Sequence, residues 1–319
     1  MLRPLPIVII GGYLGAGKTT LVNHLLRHAG ARRIAVLVND FGEINIDADL
    51  IEGSAAGVIS LSGGCICCSF GDDLVGTLQA LAQGTARPDL VLIELSGVAL
   101  PAPVARNIRL ARGVERRATL VLVDAAAIGQ QANDRYVGET VRQQLREADA
   151  ILLNKTDLAS ADAAAALPQW LTQIAPQAEV LSCDARSIDP AWVLDRRPQT
   201  TDTTPDNAPD STPALATMAG RPIGAQQRRA RNTFASRSIA LPTDVDLPAL
   251  GRALAASDSG VLRAKALARQ ADGQGCCLQV SAGRWQVDPA PVPSRARLLV
   301  IGLRESRMTQ PSFFERLGL

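Results

Sequence analysis

No run of about 18 consecutive apolar residues occurs in the chain, so no membrane-spanning helix is expected. Charge of one sign is also lacking. Lys and Arg number 33 against 31 Asp and Glu, and a net charge of +2 gives no field to hold nucleic acid or an anionic membrane surface. Basic residues form no long run. The short cluster Arg228-Arg229 with Arg231 reads as a solvated boundary. No leader-like segment precedes the first strand-like run, so a cytoplasmic location is expected. Histidine is scarce, with two in the whole chain. His24 and His28 have the i, i+4 spacing of a helical metal pair, but no third ligand lies near them in sequence, so packing is the expectation.

What is present fits a soluble globular protein, with 47% hydrophobic and 20% charged residues. At 319 residues the chain exceeds what one compact core usually holds, and two domains are expected. In a reducing compartment its six cysteines are thiols, and clustered ones point to metal or redox chemistry before disulfides.

The segment Gly12-Tyr13-Leu14-Gly15-Ala16-Gly17-Lys18-Thr19 matches G-x-x-x-x-G-K-[ST] at every required position. The apolar run Ile7–Ile10 precedes it and the helix-like Thr20–Leu26 follows it. A strand, a glycine loop and a helix N-terminus in that order make an anion site, because backbone N–H groups and the helix dipole face the phosphates. Gly12, Gly15, Ala16, Gly17 and Thr20 would form the cradle. Lys18 would reach the β- and γ-phosphates, and the Thr19 hydroxyl would hold Mg²⁺.

Further apolar runs recur at Ile34–Val38, Val58–Leu61, Leu90–Ile93, Leu120–Val123, Ile151–Leu153 and Val180–Leu181, with stretches of helical length between several of them. Continuous apolar strands separated by helices predict an α/β fold, a P-loop NTPase domain with a mostly parallel sheet covered on both faces. Ligands of such sheets sit at the carboxyl ends of the strands. The composition then changes. Residues 196–231 are poor in apolar side chains and read as a flexible linker. Beyond it, Leu247–Ala256 looks helical, and Val261–Leu267, Gly275–Val280, Arg284–Val287 and Arg297–Ile301 look like strands. The expected organisation is a P-loop domain over 1–195, a linker over 196–231 and a smaller α+β domain over 232–319.

Four more segments carry chemistry. Asn154-Lys155-Thr156-Asp157 follows a strand and has the N-K-x-D pattern of a guanine reader. The Asp157 carboxylate accepts from two guanine donors that adenine lacks, the Lys155 stem packs along the base, and Asn154 holds the loop. Glu94 ends an apolar strand in Glu94-Leu95-Ser96-Gly97, where an acid orients the Mg²⁺ shell and Gly97 lets backbone approach the γ-phosphate. Asn39-Asp40-Phe41-Gly42-Glu43 lies where a switch loop would. Asp40 would orient an attacking water or join the Mg²⁺ shell, and Glu43 would do the same or bind a second metal. Gly63-Gly64-Cys65-Ile66-Cys67-Cys68 packs three thiols into four residues. A turn must curl it for all three to meet one ion, because strand neighbours point to opposite sides. Such thiolates suit zinc, copper(I) or another thiophilic metal and leave a fourth position for a carboxylate such as Glu43 or for transfer. A redox pair is the alternative. Cys276-Cys277 reads as packing in a strand, and Cys183 as a residue that lines the guanine pocket.

Residues 11–20, 39–43, 63–68, 94–97 and 154–157 together resemble the CobW-type GTPases, relatives of the nickel chaperones HypB and UreG. Leu262-Arg263-Ala264-Lys265 and Arg297–Gly302 extend the likeness weakly into the C-terminal part. The resemblance implies a GTP-hydrolysing metallochaperone. Its catalytic residues would be Lys18, Thr19, Asp40 and Glu94. Its transition metal would bind through Cys65, Cys67 and Cys68, with Zn²⁺ as the expected ion and Co²⁺ or Ni²⁺ as alternatives. The partner would be a client metalloprotein or a cofactor-biosynthesis enzyme, with a homodimer left open. Two departures stand out. Residues 196–231 contain no histidine where many relatives carry a histidine-rich tract, which argues against metal storage. Lys265-Ala266 stands where a Lys-Gly pair is usual. The rival reading is a GTP- and metal-responsive binding module with negligible turnover.

Overall fold

The computed structural model describes residues 3–38, 58–60, 71–196, 234–242, 245–256, 258–270, 273–281, 283–293 and 295–319. Two sheets organise them. The first holds seven strands in one parallel array: β1 (Leu5–Gly12), β2 (Ile34–Val38), β3 (Val58–Ser60), β4 (Leu90–Glu94), β5 (Val114–Asp124), β6 (Ala150–Asn154) and β7 (Glu179–Ser182), in the spatial order β3-β2-β4-β1-β5-β6-β7. Every residue of β1 is buried. Val8 and Ile10 face one apolar cluster while Ile7 and Ile9 face another, so both faces of the strand need apolar side chains. That is why these strands read as unbroken apolar runs rather than alternating ones.

Helices cover both faces. They are α1 (Lys18–Arg27), α2 (Gly71–Gln83), α3 (Pro101–Leu110), α4 (Ile128–Asn133), α5 (Gly138–Arg146), α6 (Ala161–Ile174) and α7 (Pro190–Leu194). Leu21, Val22 and Leu25 of α1 pack with Val193 of α7 on one side. Leu74 and Leu78 of α2 pack with Val104 and Ile108 of α3 on the other. The strands β2 to β4 lie on one side of β1 and β5 to β7 on the other. A crevice therefore opens at the carboxyl end of β1, where this topology places its ligands.

The second sheet is antiparallel, in the order β11-β10-β9-β12-β8, from β8 (Phe234–Ala240), β9 (Val261–Arg269), β10 (Gly275–Ser281), β11 (Arg284–Pro289) and β12 (Arg297–Leu303). The helix α8 (Leu247–Ala255) covers one face, with Leu250 and Leu254 on Ala264, Ala266 and Leu278. A short α9 (Pro311–Glu315) follows β12. Cys276 and Cys277 are buried on opposite faces, one in the cluster under α8 and the other with Leu267 and Leu299. The strand β8 has no counterpart in the sequence reading, and β5 starts six residues before the predicted Leu120. Among the described residues no helix is long and apolar enough to cross a membrane.

Candidate functional site

The loop between β1 and α1 turns on Gly17, which caps α1 in the left-handed region at φ 104°. A side chain there is barred twice, by the backbone conformation and by Asn154 Nδ2, which stands 2.5 Å from where a Cβ would be. Lys18 is 4% exposed and folds back over the loop. Its Nζ donates to Gly12 O at 3.0 Å and to Tyr13 O at 3.3 Å. Thr19, one residue into α1, donates from Oγ1 to Glu94 Oε1 at 2.7 Å. Glu94 is buried at the end of β4, in register with Ile10 of β1 and Val38 of β2. The predicted Lys18–Thr19–Glu94 constellation is thus assembled. Gly97 also lies against the P-loop. A Cβ on it would lie 2.7 Å from Leu14 N, so it lets the chain after β4 press against the P-loop.

The second predicted constellation lies beside the first. Asn154 ends β6 and is 5% exposed. Its Nδ2 donates to Ala16 O at 2.9 Å, and its Oδ1 accepts from Ala185 N at 3.1 Å. One side chain therefore ties the P-loop to the loop after β7. Lys155 has φ 59°, a positive value unique among the described non-glycine residues. Such strain gathers at sites where surrounding contacts over-determine the backbone. Its Nζ donates to Gly15 O at 2.7 Å and pairs with Asp124 Oδ2 at 3.2 Å. Asp157 is exposed in the short 3₁₀ turn Thr156–Leu158.

A cavity of about 490 Å³ joins the two constellations, within the range of about 300–1,000 Å³ usual for small-molecule sites. Gly15, Gly17, Lys18, Thr19 and Thr20 line one end, and Asn154, Lys155 and Asp157 the other with Asp184 and Ala185. Sequence reasoning missed Ala185 and Asp124. Ala185 acts through its backbone N–H, which no side-chain motif reports. Asp124 ends an apolar strand as Glu94 does, and that position was its signal.

Other expectations need adjustment. Cys183 does not line the cavity; it packs against the core on the α1 side. Burial, and after it the negative charge of Asp184, push its thiol up to about 11. His24 is buried and its Nε2 meets Ile188 O at 2.7 Å, while His28 Nδ1 meets His24 O at 2.8 Å. The His24 contact joins α1 to the segment before α7, and the His28 contact closes the last turn of α1. Asp40, Glu43, Cys65, Cys67 and Cys68 lie outside the described residues, as does 197–231 of the expected linker. Among the described residues no group of three His, Cys, Asp or Glu side chains is placed to hold a metal ion.

Comparison with known proteins identifies this architecture. The family described as CobW/HypB/UreG, nucleotide-binding domain matches residues 6–182. The zinc chaperone CobW of Sinorhizobium sp is 36% identical in an alignment of 185 positions that covers 49% of this chain and 52% of that protein. The zinc chaperone YjiA of Escherichia coli K12 is 34% identical in an alignment of 196 positions that covers 59% of this chain and 60% of that protein. The matched region thus spans only about half to three fifths of these curated relatives. The crystal structure of Zn(II)-bound YjiA GTPase from E. coli covers 99% of both chains at 24% identity, with a TM-score of 0.49. A P-loop with its Thr19–Glu94 pair, a post-β6 loop clamped to it and a family match across more than half the chain converge: this protein belongs to the CobW/HypB/UreG nucleotide-binding family.

Proposed function

We propose that the chain hydrolyses GTP and uses the cycle to carry a transition-metal ion, of the zinc, cobalt or nickel class, to a client protein or cofactor pathway. The observation that carries the reading is a register. Glu94 pairs with Val38, and Val38 pairs with Ser60. Three strand ends therefore stand side by side, with Ser60 about 10 Å from Glu94 at the usual strand spacing. Asp40 and Glu43 follow from the end of β2, and the Cys65-x-Cys67-Cys68 segment follows from the end of β3. The proposed cargo segment and switch segment both start at the strand edge that carries the Mg²⁺ acid.

Guanine selectivity rests on Asp157 beside the Asn154 clamp. Thr19 and Glu94 present hard oxygen donors at the N-terminus of α1, which suit Mg²⁺. Mg²⁺ bound there would neutralise charge on the β- and γ-phosphates. Lys18 would exchange the Gly12 and Tyr13 carbonyls for those phosphates, and Asp40 would orient the attacking water. The cargo ion would sit on Cys65, Cys67 and Cys68, with Glu43 as fourth ligand. Ordering of both segments by the γ-phosphate, and their release on hydrolysis, would couple the two sites. The names of the matched relatives favour zinc as cargo.

Metal analysis of the chain with and without a non-hydrolysable GTP analogue, beside phosphate release from GTP, tests this. The expected result is one tightly held ion with the analogue, lost after hydrolysis. Metal retention independent of nucleotide, or no phosphate release, rejects the proposal.

A further inference from the structure

The antiparallel sheet lines up two polar rows on the face turned away from α8. Ser281 pairs with Arg263 and Arg284, and Gln279 pairs with Lys265 and Gln286. All six line the cavity above the P-loop. Their strand neighbours Ala264, Leu278 and Val280 join the apolar cluster under α8, as the two-residue alternation of a strand requires.

The same sheet docks on the P-loop itself. Ile301 and Leu262 pack in one cluster with Tyr13, Leu14 and Val98. Ser281 Oγ donates to Leu14 O at 3.1 Å. Gly15, at φ 79°, leaves room for this approach, since a Cβ on it would stand 2.0 Å from Ser281 Oγ. Arg284 Nη2 donates to Asp124 Oδ2, the oxygen that also accepts from Lys155. A continuous line of polar contacts runs from Arg284 through Asp124 and Lys155 to Gly15 O.

Charge decides what this recess suits. Among the described residues Lys18, Lys155, Arg186, Arg263, Lys265 and Arg284 line it with the acids Asp157 and Asp184, and Asp124 pairs with Lys155 and Arg284 beside it. Lys265 and Arg263 are only 5% and 8% exposed. An anion entering the recess would meet cations contributed by both sheets.

We propose that Arg263, Lys265 and Arg284 form the second wall of the nucleotide site and grip the phosphates from the side opposite the P-loop. The inference rests on the reading of this cavity as a guanine-nucleotide site. Bound nucleotide then holds the two sheets together, and Arg284 divides its hydrogen bonds between Asp124 and phosphate. The C-terminal sheet thereby senses the nucleotide through the variable P-loop residues Tyr13 and Leu14, which form its docking platform.

Binding of GTP, GDP and guanosine to the intact chain tests the assignment with Arg284→Gln, Lys265→Gln and the double variant. Each single change is expected to weaken GTP by roughly 10-fold, and the pair by roughly 100-fold, the usual scale for losing a hydrogen bond to a charged group. Competition by guanosine should stay at the wild-type level, and Arg284→Lys should recover most of the loss. Equal losses for GTP and guanosine, or no loss for either, overturn the second wall and leave the nucleotide-site reading standing. A wild-type chain that binds no guanine nucleotide rejects that reading and the inference with it. One measurement needs no variant. GTP, but not guanosine, should protect Arg284 of the wild-type chain several-fold from phenylglyoxal, read by mass spectrometry; undiminished modification with GTP bound overturns the proposal.

Discussion

Thr19 and Glu94, 75 residues apart in sequence, meet at 2.7 Å between a hydroxyl in the first turn of α1 and a carboxylate at the end of β4. The geometry holds two oxygen donors at the mouth of the P-loop without an exposed charge. Glu94→Gln keeps the size and removes the negative charge. It is expected to weaken Mg²⁺ in the nucleotide complex by about 10- to 100-fold, the range seen when residues supporting a metal site are altered. Nucleotide affinity measured without Mg²⁺ should change little. A Mg²⁺ titration of turnover checks this, and an unshifted midpoint would show that Glu94 does not support the ion.

Asp157→Asn should redirect base choice. The variant loses the acceptor for two guanine donors but keeps the phosphate loop, so GTP should weaken by on the order of 1.5–3 kcal/mol. XTP, whose ring offers an acceptor to the new amide, should gain. Competition among GTP, XTP and ATP measures the shift; unchanged GTP preference would mean that this loop does not read the base.

Asn154→Ala probes the clamp rather than the base. The substitution strands Ala16 O and Ala185 N in a buried position. Each orphaned group costs about 1–3 kcal/mol. Urea unfolding should report a lower midpoint, and all guanine nucleotides should weaken together because the loops move apart. Loss of base selectivity without loss of stability would contradict this role.

How much of this was legible in the sequence depends on which physical signal each part uses. The P-loop was legible because phosphate needs backbone N–H groups and glycine at fixed spacing. Strands β1, β2, β4 and β6 were legible because burial on both faces leaves unbroken apolar runs. Strand β8 was not, since Ser236, Arg237 and Ser238 interrupt it and its pairing with β12 alone makes it a strand. The charged start of β5, Glu115-Arg116-Arg117, hid its early residues, which pair along β1 from Leu5. Arg263, Lys265 and Arg284 sit in strands visible in the sequence, but the face they share was not read from it. What that face meets depends on docking between two sheets, which no local pattern encodes.

Cys183 should be a poor nucleophile. Burial and Asp184 raise its pKa to about 11, so near pH 8 it stays a thiol. Iodoacetamide should label it at least about ten times more slowly than in the unfolded chain, because the thiolate is the reactive form. The rate should climb only as pH rises toward 11. Fast labelling of Cys183 in the folded chain at pH 8 would refute its packing against the core.

Replacing Cys65, Cys67 and Cys68 together by Ser tests the proposed cargo site. Serine keeps the approximate size but offers a weakly acidic hydroxyl where the ion needs a thiolate. One tightly bound ion per chain should be lost. GTP binding should persist, because the proposed phosphate and base contacts are made by Lys18, Thr19 and Asp157, not by these thiols. Cobalt(II) is a direct probe, since thiolate ligation gives intense charge-transfer absorption in the wild type that the variant should lack. Nucleotide linkage supplies the sharper outcome. If GTP tightens the metal, the metal must tighten GTP by the same factor, and both effects should vanish in the variant. Wild-type metal affinity in the triple variant would remove these thiols from the site. Tight metal binding that ignores nucleotide would make the cysteines a fixed structural site and sever the proposed coupling to Glu94.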